Sequence, residues 1–186
     1  MKDKVKKLIK KSKKKAKKEI LEIENREDLS EEEKITQIIK IFSATCAAFA
    51  VQPIPFADIF VLTPIQGYMG SRIAAIRGIN IKEEKASEIV KEIAGVVGLG
   101  VLAQQIAIGA YKTFIPFLGA ITTIPMVYGL TYAIGKVMDF YFEKKSKGEK
   151  IQAETMKNLY KKYIEEGKKI GKKEKKKIKN EAESLK

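Results

Sequence analysis

Residues 51–69 read VQPIPFADIFVLTPIQGYM, three prolines and a single aspartate in a stretch that is otherwise almost wholly uncharged and apolar. Helix interiors avoid proline, which lacks the amide donor and clashes with the preceding turn. Ordinary loops are not this apolar. Pro53 restrains the residue before it from helical geometry, so a helix arriving from the N-terminal side should stop there. Pro53-Ile-Pro55 is then a stiff connection between two apolar helices. A second helix is predicted from Pro55, tolerated in a first turn, to Arg77, with Gly78 as its C-terminal glycine. Pro64, one turn further in, should kink it, with Thr63 and Gln66 beside it to meet the freed backbone groups. Asp58 falls in the first turn, where free N–H groups and the helix dipole favour a carboxylate. The alternative is a buried functional carboxylate pairing with Arg72, Lys112 or a partner's cation.

On the N-terminal side, Ser30-Glu-Glu-Glu33 is a capping box. It opens a helix that places Ile35, Ile38, Ile39, Phe42, Cys46 and Phe49 on one face, and Cys46 reads as a small buried hydrophobe. Before it, residues 1–18 hold eleven lysines and one acid. Val5, Leu8, Ile9, Ala16, Ile20 and Ile23 recur at helical spacing, which makes this arm an amphipathic helix. Its cationic face (Lys6, Lys7, Lys10, Lys13, Lys14, Lys17) is either a solvated surface, a contact for anionic lipid or a nucleic-acid arm.

On the C-terminal side, Asn80-Ile-Lys-Glu83 resembles a second capping box. The helix it opens becomes apolar over 93–111, nineteen residues without charge. Lys112 intervenes, and residues 113–135 give twenty-three more. Each run approximates the roughly twenty residues that cross a bilayer as a helix. Their glycines suit close helix contact, and Tyr128 and Tyr132 suit an interface with wetted hydroxyls. From Lys136 the helix becomes charged, and it should break near Gly148. A last lysine-rich segment carries Ile151, Leu159, Tyr160, Tyr163, Ile164, Ile170 and Ile178 at helical spacing, with Lys172, Lys173 and Lys176 among its cations.

The net charge of +14 in 186 residues is uneven. Residues 1–40 carry 14 Lys/Arg against 9 Asp/Glu, residues 41–142 carry 7 against 6, and residues 143–186 carry 16 against 8. Two basic arms thus flank a nearly neutral apolar centre. With one cysteine and no histidine, an internal disulfide, the usual zinc and iron ligand sets and imidazole-based hydrolysis are excluded. No phosphate-loop motif is present. The first apolar run begins near Ile35, too late for a signal peptide, so the chain is expected in, or facing, a reducing cytoplasm.

The stretch 47–79, AAFAVQPIPFADIFVLTPIQGYMGSRIAAIRGI, resembles the signature of a bacterial helical family known as domain of unknown function 697, and 98–142 continues the likeness. Pro53, Pro55, Asp58, Thr63, Pro64 and Gln66 match the family pattern, with P-I-P-x-x-D and L-T-P-I-Q specific as a pair. The resemblance implies a helical domain, often attached after Era-like or dynamin-like GTPase domains, located at or in membranes. It brings no catalytic role. This chain carries a lysine helix instead of a G domain, so GTPase activity is not carried over, and a GTPase acting in trans is the corresponding expectation.

These readings converge on an all-α bundle of about five to six helices, with two apolar, glycine- and proline-rich hairpins (36–78 and 82–142) and basic amphipathic terminal helices. The organisation is a basic helix at 1–28, an apolar hairpin domain at 29–147 and a lysine-rich helix at 148–186. The leading functional reading is a non-enzymatic, cofactor-free membrane-associated protein at the cytoplasmic face of the inner membrane. Its hairpins would insert in or pack at the bilayer while its lysines bind anionic lipid. With 93–135 spanning, the lysine-rich flanks would face one side, as the positive-inside rule requires. The runner-up is a soluble cytoplasmic assembly module, a homo-oligomer with the hairpin as its core. Third is a pore-type protein converting between soluble and inserted forms. Nucleic acid ranks low as a partner, for want of a base-reading motif or aromatic-rich arms.

Overall fold

The computed structural model describes residues 16–51, 57–97 and 119–184, and their side chains except at 57–61, 119–122 and 184. Seven helical segments occur among these residues: α1 (16–24), α2 (Glu31–Ala50), α3 (Ala57–Ile76), α4 (Glu83–Val97), α5 (Gly119–Ser146), α6 (Ala153–Lys173) and α7 (Lys175–Ser184). The described residues contain no strand, and the all-α class expected from the periodicity holds. Pro53, Pro55 and residues 98–118 lie outside the described residues.

The ends of these helices follow from local chemistry. Ser30 caps α2 as expected: its Oγ accepts from the Glu33 amide at 3.3 Å, and its own amide donates to Glu33 Oε2 at 2.9 Å. Helix α3 runs through Pro64 and ends at Gly78, whose φ of 74° is a left-handed conformation that glycine adopts without a Cβ clash. The Ile79 amide reaches back to the Ala74 carbonyl at 2.8 Å and the Gly78 amide to Ala75 at 3.1 Å, which closes a Schellman motif. Gly148, φ 66°, ends α5 in the same way, with the Glu149 amide on the Lys144 carbonyl at 2.9 Å. Helix α4 departs from expectation. It begins at Glu83, and the Ala86 amide takes the Lys82 carbonyl at 3.1 Å, so the N-cap position falls on Lys82, two residues beyond Asn80.

Helix α5 is the hub. It touches α2, α3, α4, α6 and α7, most extensively α6 and then α2. Its twenty-eight residues would extend about 42 Å at 1.5 Å each. Val127, Tyr128, Leu130, Ala133, Ile134, Val137 and Met138 are all buried. The part of the 113–135 run with described side chains is therefore covered by protein, chiefly by α2 and α6, where the sequence reading allowed lipid. Among the described residues, no helix is long and apolar enough to cross a membrane.

The α5–α6 contact depends on absent side chains. A Cβ placed on Gly167 would meet the Gly129 Cα and the Tyr132 Cβ at 2.8 Å each. One on Gly171 would meet the Tyr128 Cβ at 2.8 Å and the Pro125 Cα at 3.0 Å. A Cβ on Gly129 would in turn meet the Ile164 carbonyl oxygen at 2.8 Å. Much of what a new methyl would meet is backbone, so relief requires the helices to move apart. The terminal helices join the same core through Ala16 and Ile20 of α1 and Ile178 and Ala182 of α7.

Gly167→Ala should lower stability by about 1–3 kcal/mol, the usual cost of overpacking. Gly95→Ala provides the opposite control. A Cβ at Gly95, mid-helix in α4, meets nothing within 4 Å, so alanine should raise stability by roughly 0.5–1 kcal/mol. Urea unfolding of the two variants measures both changes.

Candidate functional site

Three polar constellations are built into this frame. The first lies where α2, α3 and α5 meet. Gln66, 2 % exposed, donates from Nε2 to Thr131 Oγ1 at 3.3 Å across α3 and α5. The same Thr131 interacts with the fully buried, free Cys46 of α2. Burial pushes the Cys46 thiol up to about 12, outweighing the Thr131 hydrogen bond, so it stays protonated near neutral pH and is a poor nucleophile. Ser43 turns its hydroxyl back onto the Ile39 carbonyl at 2.7 Å, the local bond expected of a buried serine on a helix. Gln66 thus has a partner that its position beside Pro64 did not suggest. It bridges two helices by a side-chain bond.

The second constellation is a set of ion pairs that tie helix ends. Arg77, at the end of α3, has a guanidinium only 9 % exposed and contacts Asp139 of α5 at 2.9 Å. It also reaches Glu32 at 3.1 Å, in the first turn of α2. Burial raises the Asp139 carboxyl above the usual range even though Arg77 and Lys136 oppose the shift. Arg72 makes a two-pronged contact with Glu24 of α1, at 2.7 and 2.5 Å. Lys34 adds a 3.0 Å hydrogen bond to the Glu24 carbonyl. Arg72, one of the cations considered for Asp58, is thus paired with Glu24 of α1. Asp58 itself lies in the first turn of α3, with its side chain outside the described residues, as is Lys112. Thr63 and Pro64 are half-buried.

The third involves Lys136, the first charge after the apolar run. Its ammonium donates to Thr36 Oγ1 at 2.8 Å and stands 5.9 Å from the ring centres of both Tyr132 and Tyr163. Burial lowers its pKa, partly offset by Asp139 and Glu166. Tyr132 donates to Glu166 Oε1 at 2.6 Å, so its hydroxyl meets a carboxylate of α6, where the sequence suggested water. Sequence reasoning missed Arg77, Asp139, Lys136 and Glu166 as a connected set. The only sequence signal was the return of charge after Gly135, which does not reveal which helices will meet.

The lysine-rich surfaces lie elsewhere. Lys17 of α1 and Lys172, Lys173 and Lys176 near the α6–α7 junction are exposed, while Lys6, Lys7, Lys10, Lys13 and Lys14 lie outside the described residues. α1 and α7, near opposite ends of the chain, are brought to one edge of the bundle, where Ala16 and Glu19 face Lys177, Ile178 and Glu181 across a cleft of about 340 Å3. Among the described residues no set of three or more Asp, Glu, Cys or His groups is placed to hold a metal ion.

Fold and site together define a helical bundle with a buried polar framework and with α1 and α7 brought to one edge. In sequence the chain is similar to magnetosome membrane protein 22 of Magnetospirillum gryphiswaldense, 28% identical over 136 residues that cover 70% of this chain and 69% of that protein. No protein-family model matches the chain, and no solved structure matches it.

Arg77→Met leaves Asp139 buried without its cation and should cost roughly 3 kcal/mol at pH 7. Without Arg77 the folded-state pKa of Asp139 rises further above its unfolded value. A carboxyl raised in this way favours the folded state at low pH, and that contribution is lost as pH rises through the folded pKa. The deficit of the variant should therefore shrink from pH 7 toward pH 4, and Asp139→Asn in the same chain should recover part of it. Thermal melts across that range check both outcomes.

Proposed function

We propose that the protein is a non-enzymatic, membrane-associated helical bundle that binds the anionic cytoplasmic leaflet through the lysine-rich α6–α7 region, with the N-terminal lysines adding to the attraction. The observation that carries this reading is the exposed lysine cluster at the α6–α7 junction, Lys172, Lys173 and Lys176, which can meet a planar surface together. Each lysine near such a surface contributes about 1 kcal/mol. The likeness to a protein named as a magnetosome membrane protein supports the same setting. The uncharged residues 98–111, which follow α4 in the sequence, supply a candidate for insertion beyond the electrostatic contact. The kinship to domain of unknown function 697 proposed on the 47–79 motif adds a GTPase acting in trans as the partner class.

A second reading has its own observation. Because α2 and α6 cover the described part of the apolar run, the bundle also suits an assembly module that forms homo-oligomers in the cytoplasm.

Vesicle sedimentation separates the two. Vesicles containing phosphatidylglycerol should retain the protein, whereas phosphatidylcholine alone should not. Replacing Lys172, Lys173 and Lys176 with alanine should cut partitioning roughly hundredfold, at about 1 kcal/mol for each lysine. Retention through alkaline carbonate would add insertion to the electrostatic contact. Failure to bind anionic vesicles, or equal binding to both lipids, would overturn the membrane reading in favour of the assembly module.

A further inference from the structure

Helix α1 is amphipathic, yet its apolar stripe is already in use. An amphipathic helix binds a bilayer by burying that stripe at the boundary of headgroups and acyl chains. In α1, Ala16 and Ile20 are 4 % and 1 % exposed, and Ile23 packs half-buried on the same core. These residues can face the bundle or the bilayer, but not both at once. The attachment of α1 has the form of a latch. Arg72 of α3 donates from Nε and Nη2 to the two carboxylate oxygens of Glu24, the last residue of α1, at 2.7 and 2.5 Å. The Lys34 ammonium of α2 adds a bond to the Glu24 carbonyl. The Arg72 side chain is 31 % exposed against 13 % for Glu24, so the pair is open to outside anions on its cationic side. Helix α2 does not need α1 for its own start, since Ser30 and Glu33 cap it from within one turn. Residues 25–29 are therefore a joint at which α1 can leave without unravelling α2.

We propose that α1 is a latched strap, held on the bundle by the Glu24–Arg72 pair and released by an anionic bilayer, where it exchanges the protein core for lipid. Charge works in that direction twice. The eleven lysines of residues 1–18 draw the segment toward an anionic leaflet, and they outnumber Asp3, Glu19, Glu22 and Glu24, the acids of residues 1–24. Lipid phosphate also competes with the Glu24 carboxylate for Arg72, whose planar fork fits either group. Ala16, Ile20 and Ile23 leave one apolar surround for another. What is given up is cover for Ile41 and Ala44 of α2, which line the edge cleft with Ala16 and are already half-buried. The ion pair therefore holds the balance between the two positions. The strap deepens the membrane reading by giving it a controlled insertion step, and it rests on that reading for the bilayer.

The test uses the full, unsubstituted chain on vesicles whose acyl chains carry a photoactivatable diazirine, with the labelled residues mapped by mass spectrometry. Phosphatidylglycerol vesicles should place label on Ile20 and Ile23, which face inward while α1 lies on the bundle. Phosphatidylcholine vesicles, which carry phosphate but no net charge, should not. Two variants then probe the latch. Glu24→Gln and Arg72→Gln each remove the pair, and both should raise the Ile20 and Ile23 label by about tenfold, as expected for loss of a hydrogen bond between charged groups. Surface charge alone predicts opposite signs, since the first variant gains a positive charge and the second loses one. If either variant melts early, the labelling of the unsubstituted chain decides. A fall in label for Arg72→Gln in a folded protein would overturn the latch. Sedimentation with phosphatidylglycerol vesicles while Ile20 and Ile23 stay unlabelled would overturn the strap and leave the membrane reading intact. Absence of sedimentation would overturn both.

Discussion

The packing depends on the distance at which α5 and α6 run, and that distance is set by atoms that are missing. Gly129, Gly167 and Gly171 let one helix lie against the backbone of the other. Helix α5 has almost no polar face along its first half, so it needs cover on several sides. The bundle provides it with α2 on one side, α3 on another and α6 along the glycine seam. A helix rich in lysine can serve as cover because its buried stripe, Met156, Tyr160, Ile164, Gly167 and Gly171, is narrow and its cations point outward. Helix α6 thereby combines the densest apolar contact of the fold with part of its most basic surface.

The polar framework is fitted to this core. Gln66 meets Thr131 where α3 and α5 approach, and Arg77 joins the end of α3 to both the α2 N-terminus and Asp139. Each bond connects residues far apart in the chain. Moving α6 away from α5 would uncover Tyr132 and Lys136, which stand against Glu166 and Tyr163 of α6. The aromatic and charged contacts of that seam therefore share the geometry that the glycines establish.

What could be read from the sequence was what local chemistry decides. Ser30 and Glu33 cap α2 because both groups lie within one turn. Gly78 and Gly148 end their helices because only glycine takes their backbone angles without strain. The buried face of α2 followed from spacing alone. Asn80 misled because a capping pattern states which residues could cap, while the α4 start lies two residues later, at Glu83. The 113–135 run misled for a deeper reason. An apolar helix without a polar face is equally at home in lipid and in protein, and the difference is made by whichever segments cover it. The cover came partly from Gly167-x-x-x-Gly171, a small-residue spacing set among lysines in a segment read for its charge. Gln66 was read against its neighbour Pro64, although its partner lies 65 residues away.

The cleft at the edge of the bundle has a consequence for how the molecule is made. Its walls come from the first and the last helices described, so it exists only after nearly all the intervening chain has been ordered. Closing so long a loop costs more entropy than pairing helices adjacent in sequence, such as α3 with α4 or α5 with α6. The cleft is therefore the last feature to be completed as the chain folds and the first to come apart when it frays. A bundle missing either terminal helix could keep its glycine seam and its buried threonine, yet it would have no cleft at that edge.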